Sequence, residues 1–239
     1  MFRSPRQISP IARLVSALIL ISIVVFTVSC ADKKETASGE VVQVVDGDTL
    51  KVKVGKKTET VRMLFIDSPE TNDPELGEQP FGMEAKLHLE ELVSPGSKVT
   101  LEFGPEKHDK YGRLLAHVQL EKDKETLQEK LLKEGLARVA YLFHEDEEME
   151  KRYRKAEEEA RKKRLRIWSV DGYVHEKGFN PKAVERVARF VASKRSDVYH
   201  PVECKEVVKQ IHQDNRVPFA TEGDAKASGR RLSQVCKAE

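Results

Sequence analysis

Three short clusters hold the residue types that could do chemistry. The first is VVDGDTLKV, with Asp46 and Asp48 two residues apart in a tight turn. The second is RMLFIDSPET, with Arg62, Asp67, Ser68 and Glu70. The third is DKYGRLLA, with Lys110, Tyr111 and Arg113. Carboxylates are hard oxygen donors for a cation. Arginine's planar fork suits phosphoryl oxygens. Singly, each cluster is ambiguous. DGD is a common hairpin turn, an arginine on a strand is usually a satisfied or snorkelling side chain, and DKYGR reads equally as a polar loop.

The elements that must position these residues alternate in period. VVQVV (41–45), LKVKV (50–54), TVRMLFI (60–66), KVTLEF (98–103) and RLLAHVQL (113–120) carry strand signals. GMEAKLHLEELV (82–93), ETLQEKLLKEGLARVA (125–140) and EEMEKRYRKAEEEARKKRLRIW (147–168) have helical spacing. The last has an apolar stripe of Met149, Tyr153, Ala156, Ala160 and Ile167. Five strands, with one helix after the third and further helices at the end, follow the order of an OB-type barrel. The fold class expected is mainly β plus α: a five-stranded OB-type barrel with three helices, then a small α+β unit.

The 239 residues suit one or two domains. The formal charge of +2 depends on the N-terminus, because residues 1–29 hold Arg3, Arg6 and Arg13 and no acid. Without them the charge is −1, so no global basic field marks a nucleic-acid binder, and any such binding must be local. Behind those arginines runs LVSALILISIVVFTV (14–28), then Ser29 and Cys30. This is the pattern of a secretory signal over residues 1–29. Cys30 after a small residue resembles a bacterial lipidation site, although Thr27 stands where leucine is usual. An uncleaved membrane anchor is the alternative. Either way the remainder is expected to be exported and held at a membrane, on its periplasmic or cell-surface face. Residues 30–39 read as a polar tether. With Cys30 lipidated, Cys204 and Cys236 remain as an even pair.

Taken together and in this order, the three clusters resemble the thermonuclease (staphylococcal nuclease-like) family. The resemblance covers residues 40–169 and includes EGLARVAYLF (134–143) and RIWS (166–169). It implies an OB-type barrel and calcium-dependent endonucleolysis of DNA and RNA that leaves 3′-phosphates, with single strands preferred. It implies metal ligation by Asp48, Asp67 and the main-chain carbonyl of Ser68, with Asp46 in an outer shell. Glu70 matches the family's general base, and Arg62 and Arg113 match the arginines that grip the phosphate. Lys110, Tyr111 and Tyr141 match nucleotide-contacting positions. Phe143 stands where a second tyrosine often occurs. The loop TNDPELGEQP (71–80) departs from the pattern, with Asp73, Glu75 and Glu78 expected to repel phosphate. RKKRLR (161–166) follows an acidic helix start and reads as a helix end matched to the dipole rather than as a nucleic-acid patch.

Residues 170–239 form the expected second unit. HPVEC, DNRVPFAT and SGRRLSQVC resemble the small metal-binding domain of Ada-type DNA repair proteins. That domain has four cysteines, whereas here His200 and Ser233 replace two of them. His200, Cys204 and Cys236 make a poor zinc set, so a Cys204–Cys236 disulfide is favoured over zinc. Neither a protein partner nor an oligomer is implied. The leading expectation is a membrane-tethered nuclease acting on single-stranded DNA and RNA. The alternative is a non-catalytic nucleic-acid-binding lipoprotein on the same fold, and a third reading is an inert structural lipoprotein.

Overall fold

The computed structural model describes residues 34–74, 77–142 and 146–235. The signal segment, Cys30, Glu75, Phe143 and Cys236 therefore lie outside the described residues. From Glu35 onward the chain forms one unit. Among the described residues no helix is long and apolar enough to cross a membrane.

Five strands close into a barrel in the order β1 (Thr36–Asp46), β2 (Thr49–Val54), β3 (Lys57–Met63), β6 (Leu114–Leu120), β5 (Lys98–His108). β1 closes the barrel because it serves two neighbours. Its first half pairs with β5 and its second half with β2, with register shifts at Val41/Gln43 and Val44/Asp46. Such irregularities bend a strand and increase its twist, as closure needs. β3 and β6 run parallel, so the chain between them must cross over. Alternation fills the interior: Leu50, Val52, Val61, Met63, Leu101 and Val118 are all buried.

Several expected boundaries need correction. Residues 36–39, expected to belong to the tether, lie in β1, which begins at Thr36 opposite Glu102. The expected strand 60–66 is two strands. Phe65 adopts φ +64°, and the turn it makes frees β4 (Ile66–Asp67) to pair with β7 (Arg138–Val139). The expected helix 125–140 stops at α2 (Leu127–Lys133). Gly135 has φ +67°, and a Cβ there would lie 2.7 Å from the Leu165 carbonyl oxygen. Only glycine fits that position, and it turns the chain into β7.

Helix α1 is Gly82–Leu92 and α3 is Glu147–Lys162. α2 begins with a capping box between Thr126 and Glu129. α3 buries Met149, Tyr153, Ala156 and Ala160, as its stripe requires. It ends at Lys162 rather than running to 168. Arg164 and Arg166 take positive φ, and a separate 3-10 turn covers Arg166–Trp168.

The C-terminal residues add a hairpin, β8 (Val174–His175) and β9 (Gly178–Phe179), and a short helix α4 (Pro181–Glu185). A four-stranded sheet follows in the order β12 (Arg216–Phe219), β10 (Phe190–Ser193), β11 (Val198–Pro201), β13 (Arg231–Leu232). Helices α5 (Lys205–Val208) and α6 (Glu222–Ala227) complete it. The sheet has its own apolar cluster around Tyr199, Val217 and Phe219. A separate cluster of Phe81, Ile167, Val170, Tyr173 and Val184 joins it to the start of α1.

Candidate active site

The β1–β2 hairpin brings Asp46 and Asp48 against the segment after β4. Gly47 makes the approach possible, since a Cβ there would meet the Ser68 Oγ and the Ala85 Cβ at 2.7 Å each. Asp48 is almost fully buried. Its Oδ1 accepts from the Thr49 hydroxyl at 2.9 Å and its Oδ2 from the Ser68 amide at 3.0 Å. Asp46 sits further out, accepting from the amide and hydroxyl of Thr71 at 3.3 and 3.2 Å.

Arg62 crosses this group from β3, opposite Thr49. Its Nη1 donates to the carbonyls of Met63 and Ile66 at 3.0 Å each. Its Nη2 touches Asp48 Oδ2 at 2.9 Å and Asp67 Oδ1 at 3.5 Å. One guanidinium nitrogen thus marks the point on which both carboxylates converge. Asp67 is also held from below by Arg138, whose Nε and Nη2 both donate to Oδ2 at 2.9 Å. Burial raises the Asp67 pKa, Arg138 opposes that, and the Asp48 charge adds to it.

Glu70 follows three residues later. Its amide donates to the Gln79 Oε1 at 3.0 Å, and its carbonyl accepts from the Gln79 amide at 2.9 Å. Its carboxyl is pushed up to about 8, first by burial, then by a hydrogen bond with Asp46 and the charges of Asp48 and Asp46. Arg62 only partly offsets this. A carboxyl poised near neutral pH can take up or release a proton in the working range.

Arg113 stands apart from this cluster but lines the same cleft. The cleft holds about 670 Å³ and is bounded by Arg62, Asp67, Glu70, Lys110, Tyr111 and Tyr141, among others. The Arg113 Nε donates to Asp109 Oδ2 at 2.6 Å, and Asp109 Oδ1 takes the amides of Tyr111 and Arg113. Those bonds hold the DKYGR loop in shape, with the Asp109 carboxyl below its ordinary pKa. Tyr111 and Tyr141 are 71% and 65% exposed, and Lys110 and Arg113 lie over the Tyr111 ring at 5.0 and 5.5 Å from its centre.

Three residues that matter here received no role from the sequence. Arg138 lies in the stretch EGLARVAYLF that reads as helix, Asp109 opens the DKYGR cluster, and Gln79 sits in a stretch with no periodicity. An arginine between apolar residues in LARVAY is the one signal that marked Arg138. The expectation that Glu78 repels phosphate fails, because Glu78 is paired with Arg230 at 2.9 Å, with side chains only 16% and 9% exposed. In RKKRLR, Lys162, Arg164 and Arg166 pair with Glu158, Asp171, and Glu84 with Glu134 respectively.

In the C-terminal sheet His200 is buried, with burial lowering its pKa, and it pairs across to Val191. Ser233 is buried beside the same strand, its amide donating to the Tyr199 carbonyl. Cys204 is disulfide-bonded, while Cys236 and Cys30 lie outside the described residues.

The donor set near Arg62 is all oxygen, and its acids outnumber the cations that offset them. Burial is the first cause of the upward push on Asp67 and Glu70, and the neighbouring carboxylate charges add to it. This chemistry suits a hard dication. Among the described residues no three acidic, histidine or cysteine side chains converge closely enough to cage a metal by themselves. The remaining ligands of a bound ion would therefore be main-chain and water oxygens.

Residues 60–170 match the family described as staphylococcal nuclease homologue. The chain is 46% identical over 148 residues to the SPbeta prophage-derived endonuclease YokF of Bacillus subtilis (strain 168), covering 62% of this chain and 49% of that one. It is 47% identical over 137 residues to endonuclease YncB of the same strain, covering 57% and 64%. It is 38% identical over 165 residues to the thermonuclease of Staphylococcus hyicus, covering 65% of this chain and 93% of that protein. The chain therefore spans about half the length of YokF and just under two thirds of YncB.

Proposed function

Because the chain belongs to the staphylococcal nuclease homologues, we propose that it is an exported, calcium-dependent endonuclease. Its substrates are single-stranded DNA and RNA, cut to leave 3′-phosphates. The observation that carries this is the shared cleft: Arg62, Glu70, Arg113 and Asp67 face one space.

In this reading Glu70 is the general base. As carboxylate it takes a proton from water as the water oxygen bonds to phosphorus. The bond from phosphorus to the 5′-oxygen breaks, and that oxygen leaves as a hydroxyl after gaining a proton. Arg62 and Arg113 donate to the phosphoryl oxygens as their charge grows. Lys110, Tyr111 and Tyr141 hold the neighbouring nucleotides, the tyrosines by ring contact. Asp48, Asp67 and the Ser68 carbonyl would hold calcium, with Asp46 through water, and the ion would supply charge neutralisation at the phosphate. Arg62 now donates to Asp48 and Asp67, and a cation there would free it for substrate.

Export and attachment through a lipidated Cys30 rest on the residue pattern of 1–30. Cys236 is the proposed disulfide partner of Cys204, and the chain is proposed to act as a monomer.

The test is digestion of single-stranded DNA and RNA by residues 31–239, with calcium and then with chelator, followed by end-group analysis. Cleavage only with calcium, giving 3′-phosphates, supports the reading. Binding without cleavage would support the non-catalytic alternative instead.

A further inference from the structure

We propose that the C-terminal unit is a latch that sets the position of Glu70, with Arg230 as a positioning residue acting through Glu78 and Gln79. The proposal rests on the catalytic role given to Glu70 above.

The latch is a continuous series of contacts. Among the described residues, the Glu70 main chain is held by Gln79, which bonds both its amide and its carbonyl. Gln79 is buried, so its side chain cannot exchange Glu70 for water. Close packing leaves little slack: a Cβ on Gly82 would lie 2.6 Å from the Glu70 carbonyl oxygen. The position of Glu70 therefore follows that of residues 78–82.

Those residues are held from beyond residue 170, outside the stretch that matches the nuclease family. Glu78 accepts from the Arg230 Nη1, at 3.1 Å to Oε1 and 2.9 Å to Oε2. The Pro80 carbonyl accepts from the Tyr173 hydroxyl. The Phe81 amide donates to Asp224 Oδ1 at 3.1 Å. Arg230 is itself fixed, since its Nε donates to the Ser196 carbonyl at 3.0 Å and its guanidinium lies 5.7 Å from the Phe219 ring centre. An ion pair this far from solvent is directional, and removing one partner strands the other. Without Arg230, Glu78 must turn towards water, and Gln79 moves with it.

A displacement of about 1 Å at a reacting group can cost about a hundredfold in rate. The latch therefore predicts a loss in kcat rather than in KM, because Lys110, Tyr111 and Tyr141, assigned to nucleotide contact, are not among the residues it holds.

The test compares the full chain with Arg230→Ala, Arg230→Lys and Glu78→Gln. Amide exchange at Glu70, Glu78, Gln79, Phe81 and Gly82 should rise about tenfold or more in Arg230→Ala, with β2 and β6 unchanged. On single-stranded DNA, kcat should fall about tenfold with KM within about twofold, and Arg230→Lys should restore most of it. Should Arg230→Ala not fold, Glu78→Gln, which keeps shape and an acceptor, should show a smaller shift of the same kind. Unchanged exchange at those five amides, or exchange raised evenly across the barrel, would overturn the latch. A wild-type chain that cleaves nothing would overturn the nuclease reading, while the exchange measurement still decides the latch.

Discussion

Arg138 grips Asp67 with two nitrogens on one carboxylate oxygen, each at 2.9 Å. The pair spans β4 and β7, two-residue strands that no periodicity announces. It leaves Oδ1 of Asp67 facing the Arg62 guanidinium and the cleft. Arg138 also donates to the Glu176 carbonyl at 3.2 Å, tying the site to the β8–β9 hairpin.

Arg138→Ala should destabilise the chain by about 3 kcal/mol, because it strands a buried carboxylate. Adding Asp67→Asn should recover part of that loss. Urea unfolding of both variants checks this, and equal stability of Arg138→Ala and wild type would refute it.

Glu70→Gln and Arg113→Ala should each lower kcat by about a hundredfold or more. Neither should unfold the chain. Arg113 lies at the cleft rim, one-third exposed, and Glu70 sits in a site already crowded with acids.

That crowding has a pH signature. The folded pKa of Glu70, about 8, lies above its ordinary 4.5. The folded state thus binds the proton more tightly than the unfolded state. Stability is lost as pH rises from about 4.5 to about 8 and stays lost above it. In chelator, Glu70→Gln should be the more stable protein at pH 8, with the gap closing towards pH 4. Thermal melts across that range test it, and a gap independent of pH would count against it.

Asp224 gives a second, separate pH effect. Its Oδ1 accepts the Phe81 amide, but its Oδ2 is buried with no hydrogen-bond partner among the described residues. Burial drives its pKa well above the ordinary 3.8, with the charges of Glu84 and Glu78 adding to this. Ionisation therefore costs the folded state stability above pH 3.8. Asp224→Asn keeps the acceptor for Phe81 and removes the charge. It should be more stable than wild type at pH 8 by about 1 kcal/mol or more, and the two should converge in acid.

Tyr111→Ala and Tyr141→Ala should act on binding. Ring contact with a base is worth about 1–3 kcal/mol. KM for single-stranded DNA should rise about tenfold with a smaller change in kcat. Steady-state kinetics decide it, and a loss in kcat alone would contradict the assignment.

Much of the barrel was legible because each strand alternates against a single core. The ends were less so. Where Phe65 and Gly135 take left-handed backbone, the chain leaves its local period, and the continuations into β4 and β7 depend on each other rather than on neighbours in sequence. Arg138 was missed for that reason. Glu78 was misread because its charge looked free, and its partner Arg230 lies 152 positions later.

The sequence by itself determined which groups could do chemistry: the DGD turn, the arginine and acids of RMLFIDSPET, and the DKYGR loop. Their types and order carry the family likeness, because local turns and strands present them whatever surrounds the barrel. Only the tertiary structure decided how those groups are held. The Arg138 grip on Asp67, the Gln79 clasp on Glu70 and the cap from Asp224 all join distant segments. Burial gives such contacts their strength, and burial belongs to the folded chain alone.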